Sequence, residues 1–590
     1  MGFNEQVTRE KAVTDLERSG VIEGDLSKEI GPDGVGHGPD SDSDDASAHK
    51  QAGVKEIEAI TTVWEKKTLV LMMILLYLVS FVEMLLVSIQ GNLNPYITSE
   101  FDLHGLSPVI NIVSDILGGT SSLAIAKIVD IWGRTTGFMC LLLLNVIGNI
   151  IKATCQSIEA YAAGHTLYWV GHLGILYIIT IMLSDMTSLK NRMLIIGING
   201  TPNIAATFAG PKIAELFYEN VNFRWAFGAF TIILVGFCIP VVLVMLWHQR
   251  KAEKAGLVQK TDSGRTWYQS IWHYVVELDL FGIVLITAGW ALLLLPFNLA
   301  TNTGRGWSSP NMIAMIVVGV VLLAIFVIWE KYFAPVQFFP FRYLKERTII
   351  GACLLYGVMF LSVFIWDSYY YSYLQVVHDL SIVHAGYVLN AFSLTSSFLA
   401  PFIGFIISYT GNYKWMSYAG IPFVALGTGL LAKFRTPETH VGILVMCQVL
   451  NGIGTGIFAQ CAQIAMMAVV THQEIAVVLA IFGLFGSIGA ATGNAIAGAL
   501  WTNILPAQLT KYLPEEAKPL MPEIYGSFVI QQDYPMGSEI RSAIIKAYGI
   551  VQHKMVIAGS AFVPIFVLCV FLFKDVNVRK AKKQTKGNVF

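Results

Sequence analysis

Three carboxylates stand inside stretches of sequence that are otherwise apolar: Glu83, Asp115 and Asp367. An unpaired charge in hydrocarbon costs several kcal/mol, so an ionisable group held there marks a function. Burial pushes a carboxyl toward its neutral form, the property a site needs to load and release a proton near neutral pH. These three are the proton-coupling candidates; the other role open to each is a structural ion pair or a carboxyl hydrogen-bonded between helices. Glu83 shares a stripe with Tyr77, Ser80 and Gln90 at helical spacing.

Other polar residues recur in the same apolar surroundings. Tyr168 and His172 lie one turn apart, Gln448, Asn451, Thr455 and Gln463 form one stripe, and Asn390 is set to reach the same space. Asp367 sits in Trp366-Asp-Ser-Tyr369-Tyr370-Tyr371-Ser-Tyr373. Aromatic rings with hydroxyl handles suit a bulky, partly polar, oxygen-rich ligand. Tyr373 is assigned instead to a belt of aromatics at a membrane interface. His172 reads as a hydrogen-bonded interior histidine. No Cys/His cluster has metal-ligand spacing, so no metal site and no cofactor are expected. No nucleophile–base pair or cofactor loop is present, so the chain is not expected to be an enzyme. All seven cysteines lie in apolar stretches and read as small buried hydrophobes.

The elements that must position these groups follow from the apolar pattern. Of 590 residues, 55% are hydrophobic and 13% charged. Apolar blocks run over 69–89, 107–127, 137–156, 166–184, 192–214, 224–247, 278–297, 311–330, 348–372, 384–408, 416–432, 441–469, 476–503 and 555–573. Each is about the 20 residues that cross a bilayer, and in lipid each must be a helix. The expected fold class is an all-α integral membrane protein of about fourteen transmembrane helices, its first partner the lipid bilayer. A formal net charge of -1 points to no nucleic-acid partner. Lys and Arg gather in alternate loops, which puts both termini of a multi-pass chain in the cytosol.

Residues 1–65 form a tail with no apolar core, hence no signal peptide; its acidic serine run, Asp40 to Asp45, reads as solvated. Six spans (66–247), a cytosolic loop (248–277), two further spans (278–330) and a second group of six (331–573) follow, before a basic tail (574–590). One loop is out of proportion: 504–554, facing away from the cytosol, with Ile540, Ile544, Ala547 and Val551 at helical spacing. That spacing predicts an amphipathic helix in Gly537–Met555, lying over the protein or membrane surface. Loops this long are uncommon without a role.

After the second span comes Ala126-Lys-Ile-Val-Asp130-Ile-Trp-Gly133-Arg134. An acid, a tight turn at Gly133 and a guanidinium can latch two helix ends as a gate. The pattern resembles the signature of the major facilitator superfamily, with Ala126 for its leading glycine and Thr135 for its trailing basic residue. The resemblance implies two six-helix halves plus two extra helices, with the first, fourth, ninth and twelfth spans around a central cavity. Ala209-Gly210-Pro211 partly resembles the antiporter motif of drug exporters, from which Lys212 departs; helix packing is its commoner use.

Pro202–Ala214 followed by Phe223–Phe230, Ser372–Val377 with Ala385–Asn390, and the loop stretches Ile524–Ser527, Gly537–Arg541 and Ala547-Tyr548 resemble the fungal siderophore–iron transporters. The resemblance implies import of a ferric siderophore, with protons as coupling partner and iron carried only inside its chelate. It implies that Tyr525, Arg541 and Tyr548 belong to an outer recognition element, and Glu83 and the tyrosines of the ninth span to the central site. A plasma-membrane monomer is expected, with endosomal vesicles the other location. The alternative is a fourteen-helix drug or glutathione proton antiporter, which gives no reason for the long loop.

Overall fold

The computed structural model describes residues 64–255, 266–302, 306–337, 339–471 and 474–580. The acidic tail before Trp64, part of the basic loop after the sixth span and residues 581–590 of the basic tail lie outside the described residues.

The first four spans are α1 (Lys66–Glu100), α2 (Ser107–Trp132), α3 (Arg134–Thr154) and α4 (Ile158–Met186). The fifth is broken into α5 (Leu189–Asn199) and α6 (Pro202–Asn220). Pro202 lacks an N–H and its ring would strike the carbonyl one turn back, so the helix restarts after Gly200-Thr201. The sixth, α7 (Phe223–Lys254), runs beyond its apolar block, and α8 (Trp267–Glu277) occupies part of the expected loop. A reciprocal Thr266–Gln269 cap starts α8, which leaves Trp267, Tyr268, Ile271 and Trp272 exposed, as a helix in the membrane interface does.

The extra pair is α9 (Leu280–Leu294), continued by the short α10 (Pro296–Leu299), and α11 (Pro310–Ile328). The second half holds α12 (Arg347–Asp367), α13 (Tyr370–His378), α14 (Ile382–Thr410), α15 (Tyr413–Phe434), α16 (Val441–Ala468) and α17 (Ile475–Tyr512). Thirteen described helices are long and apolar enough to cross a membrane. The broken fifth span, packed between α1 and α14, makes a further crossing.

Packing between the halves is reciprocal. The second span of the first half (α2) lies on the fifth of the second (α17), and the broken fifth of the first lies on the second of the second (α14). A pseudo-two-fold relation between two six-helix repeats requires this pattern. Glycine permits the closest approaches. A Cβ on Gly489 of α17 would lie 2.0 Å from the Gly357 carbonyl oxygen of α12, inside any tolerable contact.

The long loop differs from expectation. Because α17 continues to Tyr512 and α20 (Glu539–Ser560) starts early, the connection is 513–538, carrying a 3-10 turn (Glu515–Leu520), α18 (Met521–Gly526) and α19 (Phe528–Asp533). The stripe Ile544, Ala547, Val551 is buried against protein, and α20 leads into the last span with α21 (Val563–Phe571). The helix forms where the spacing places it, but it packs into the bundle as the start of the last span instead of lying over a surface, although it carries Lys546, Gln552, His553 and Lys554. Gln552 is in fact buried and accepts a hydrogen bond from Arg435 at 3.2 Å.

Candidate transport site

Two adjoining cavities lie where the halves meet, and Asp115, Trp169 and Phe364 line both. The cavity toward the Asp130–Arg134 end has a volume of about 320 Å³ and aromatic walls, Tyr177, Tyr356, Phe360 and Phe482 among them, with Gln463. The cavity toward the 513–538 loop has about 210 Å³ and is more polar, lined by Gln90, Asn111, His165, Asp367, Tyr369 and Asn494 with others.

Asp115 is buried at the junction. Its Oδ1 accepts from Trp169 Nε1 at 3.0 Å within the first half, and its Oδ2 from Asn494 Nδ2 at 3.1 Å on α17 of the second. Asn494 Oδ1 in turn accepts from Ser368 at 2.9 Å, in the break between α12 and α13. A change of charge on Asp115 therefore acts directly on a contact between the halves. Neutral donors hold it, and no ion pair reaches it among the described residues.

Glu83 is set back from both cavities. Asn145 donates to its Oε1 at 3.1 Å, and His172 Nδ1 lies 2.6 Å from its Oε2, so the carboxylate takes the ring's proton-bearing nitrogen. The chain continues: Asn149 donates to Asn145 at 2.8 Å, and Lys152 to Gln90 Oε1 at 2.5 Å, while Gln90 donates to His165 at 2.8 Å. The Lys152 amine sits 4.0 Å from the Tyr168 ring centre and 3.8 Å from that of Phe227. Lys152, Asn145 and Asn149 were missed in the sequence because Lys152 falls at the end of its block and looks interfacial. Their spacing on α3 (145, 149, 152) was the available signal.

The ninth-span aromatics divide. Tyr369 and Tyr371 line the polar cavity, Tyr369 stacked on Trp501 with centroids 3.8 Å apart. Trp366 and Tyr370 instead surround the buried Arg435, whose guanidinium is 3.8 Å from the Tyr370 ring centre. Tyr373 is wholly buried, so the membrane-belt assignment fails; the break in the helix turns α13 inward. Tyr168 lies under Lys152, and Tyr77 bonds to Thr201 at 3.1 Å. Asn451 accepts from Thr428 at 2.8 Å in the packing of α15 on α16, Gln448 is buried, and Asn390 lines neither cavity.

Both ends of the bundle are bridged between halves. At the motif end Tyr177 donates to the Ala476 carbonyl at 2.7 Å, Ser122 to Ala480 at 3.0 Å, and Ser408 to Asn191 at 3.1 Å. There Gly133, at φ 85°, makes the turn that lets Arg134 reach Asp130 at 3.0 Å and Asp185 at 3.3 Å. Asp185, on α4, is the latch partner that the short motif did not reveal. Gly210-Pro211 is packing: the two residues meet Ser88 of α1 and Gly386 of α14.

At the loop end, Tyr96 donates to Gln375 at 2.5 Å, Tyr369 to the Gly105 carbonyl at 2.9 Å, and His104 Nε2 lies 3.1 Å from Ser372 Oγ. The loop seals over this joint: Phe528 N–H donates to Ser99 at 3.2 Å, and Gln532 to Gln375 at 3.1 Å. Of the residues expected to meet ligand from outside, Arg541 is wholly buried. It donates to the carbonyls of Val376 at 2.9 Å, Gln375 at 3.4 Å and Gln531. Tyr548 is buried too and bonds to Gln531 at 2.5 Å; Tyr525 is half-buried with its hydroxyl against Gly105. These side chains hold the loop in place. Among the described residues no His, Cys, Asp and Glu group is set to hold a metal.

Two reciprocally packed six-helix halves, a latch at one end and a cavity at their junction define the transporter architecture of the Major Facilitator Superfamily, whose family model matches residues 76–383 and 355–506. Among solved structures, a POT peptide transporter shares the fold at TM-score 0.52 with 15% identity, over 88% of this chain and 99% of its own. An MFS siderochrome iron transporter 1 of Ajellomyces capsulatus is 53% identical over 96% of this chain and 98% of its own length. The siderophore iron transporter mirB of Emericella nidulans is 40% identical, covering 93% and 92%. The MFS siderochrome iron transporter D of Aspergillus fumigatus is 38% identical over 92% and 90%. The chain belongs to the fungal siderophore-iron transporters of this superfamily.

Proposed function

We propose that this chain imports ferric siderophore chelates, driven by proton symport, through alternating exposure of the central cavity. The relatives' names support the cargo. The observation that carries the mechanism is Asp115, a buried carboxylate on the cavity wall that is hydrogen-bonded to Asn494 across the joint between the halves. A proton arriving on Asp115 removes the charge that Asn494 and Trp169 hold, which couples occupancy to the packing of α2 on α17. Glu83 with His172 is a second proton-holding pair, behind the wall and linked through Asn145 to Lys152's chain. The chelator supplies iron's oxygen ligands, so the protein binds the chelate's exterior. The plasma membrane, both termini in the cytosol and a monomeric state complete the reading.

The test is expression in iron-starved cells that lack their own chelate uptake. Accumulation of iron supplied as a labelled ferric trihydroxamate, abolished by a protonophore, is expected. Accumulation indifferent to the proton gradient would overturn the symport. Resistance to cationic drugs with no chelate uptake would overturn the cargo in favour of an exporter.

A further inference from the structure

A chain of hydrogen bonds runs through the first half in one direction. The Lys152 amine donates to Asn149 Oδ1 at 3.5 Å, Asn149 Nδ2 to Asn145 Oδ1 at 2.8 Å, and Asn145 Nδ2 to Glu83 Oε1 at 3.1 Å. All four residues are buried. Each amide turns its oxygen toward the amine and its nitrogen toward the carboxylate, so both dipoles join a cation at Lys152 to an anion at Glu83. The Tyr168 and Phe227 rings give the amine two cation–π contacts. Lys152 also donates to Gln90 Oε1 at 2.5 Å. Gln90 lines the polar cavity, with its Nε2 on His165 at 2.8 Å. The amine is thus shared between the cavity wall, which holds it closely, and the chain to Glu83, which holds it at the limit of a hydrogen bond.

We propose that Lys152 is a positioning residue that makes the protonation of Glu83 depend on what binds at Gln90 in the polar cavity. This rests on the proposed proton-coupled transport and adds the link between cargo and proton. In the arrangement described, the ammonium stabilises the Glu83 carboxylate through Asn149 and Asn145. The other titratable groups facing Glu83 are His172 and Tyr168 of α4 and Cys238 of α7. Of these groups, among the described residues, Lys152 is the one bonded to the wall. An oxygen-rich ligand there competes with His165 for the Gln90 NH2 group and turns that amide. The ammonium follows the Gln90 oxygen, and the 3.5 Å bond to Asn149 is the link that breaks. Glu83 then loses the positive end of its chain, and its carboxylate takes a proton from solvent to become a neutral acid. By reciprocity, a proton on Glu83 frees Lys152 for the wall and strengthens binding of the ligand.

Proton uptake on binding is the readout. The intact chain in lipid nanodiscs is titrated calorimetrically with a ferric trihydroxamate, in buffers of different ionisation heat and over a series of pH values. Wild type should take up protons as it binds, and its affinity should strengthen as pH falls, by up to about ten-fold per pH unit for one proton. Glu83→Gln should lose the share of uptake that Glu83 carries and keep the share of Asp115. Lys152→Met should lose the same share, and combining the two should lose no more. Asn149→Leu leaves both charges in place and cuts the chain, so it should match them, and it decides the matter if Lys152→Met does not fold. Uptake equal to that of wild type in Glu83→Gln, Lys152→Met or Asn149→Leu overturns the proposal. Wild type that binds the chelate without taking up protons overturns the proposed symport as well. Absence of binding overturns the proposed cargo itself, a result distinct from a lost link.

Discussion

Replacing His104 by glutamine tests whether the loop end is closed by a neutral ring. His104 lies in the turn between α1 and α2, outside the spans, and is 1% exposed. Thr98 of α1 and Ser372 of α13 face its two nitrogens, Phe528 of α19 lies over it, and Tyr369 and Trp501 close the sides. No carboxylate pairs with it among the described residues, and burial holds its pKa down at about 4 against an ordinary 6.5.

Above pH 6.5 the ring is neutral whether this end is closed or open, and pH does not shift the balance. Below 6.5 an open, solvated ring takes up a proton that the closed ring refuses until about pH 4, so falling pH favours opening. At pH 5 the closed end loses about 2 kcal/mol, an approximately thirty-fold shift, rising to about 3 kcal/mol below pH 4. The assay is thiol labelling of Ser107→Cys, a position on the polar cavity wall beside the turn, with the exposed Cys140 replaced by serine. Labelling relative to the same chain with His104→Gln cancels the reagent's own pH dependence. The ratio should rise by about thirty-fold from pH 7.5 to 5. A flat ratio would refute the argument, since no other group in contact with this ring titrates in that window.

Two further outcomes follow from the geometry. Glu83→Gln keeps the side chain's shape but removes the charge that His172 and Asn145 hold; gradient-driven accumulation should fall at least about ten-fold while chelate binding is retained, and full accumulation would take Glu83 out of coupling. Arg541→Ala strips donors from three buried carbonyls and should cost about 3 kcal/mol, seen as a lower unfolding midpoint. Arg224→Ala, at a partly exposed pair with Glu100, is the comparison and should cost under about 1 kcal/mol.

The helices and the latch were legible because they rest on local rules: blocks of apolar residues cross lipid as helices, and Asp130-x-x-Gly133-Arg134 is a contiguous turn. Even the break in the fifth span was written locally, in Gly200-Thr201-Pro202, though the hydrophobic count alone ran through it. What could not be read was direction. Periodicity assigns a residue to a face, but the partner of that face comes from a helix far along the chain. Glu83 and Asp115 look equivalent in sequence. Only the packing of α3 puts Asn145 against Glu83 and closes it off, while the packing of α17 brings Asn494 to Asp115 across the joint. Arg541 is the same case reversed, a charged residue in a polar stretch that reads as exposed. It is buried because the carbonyls of Gln375 and Val376, near the end of α13, need donors where the loop covers them. Which buried carboxylates reach the cavity is thus set by tertiary packing: Asp115 and Asp367 line it, while Glu83 lies behind its wall.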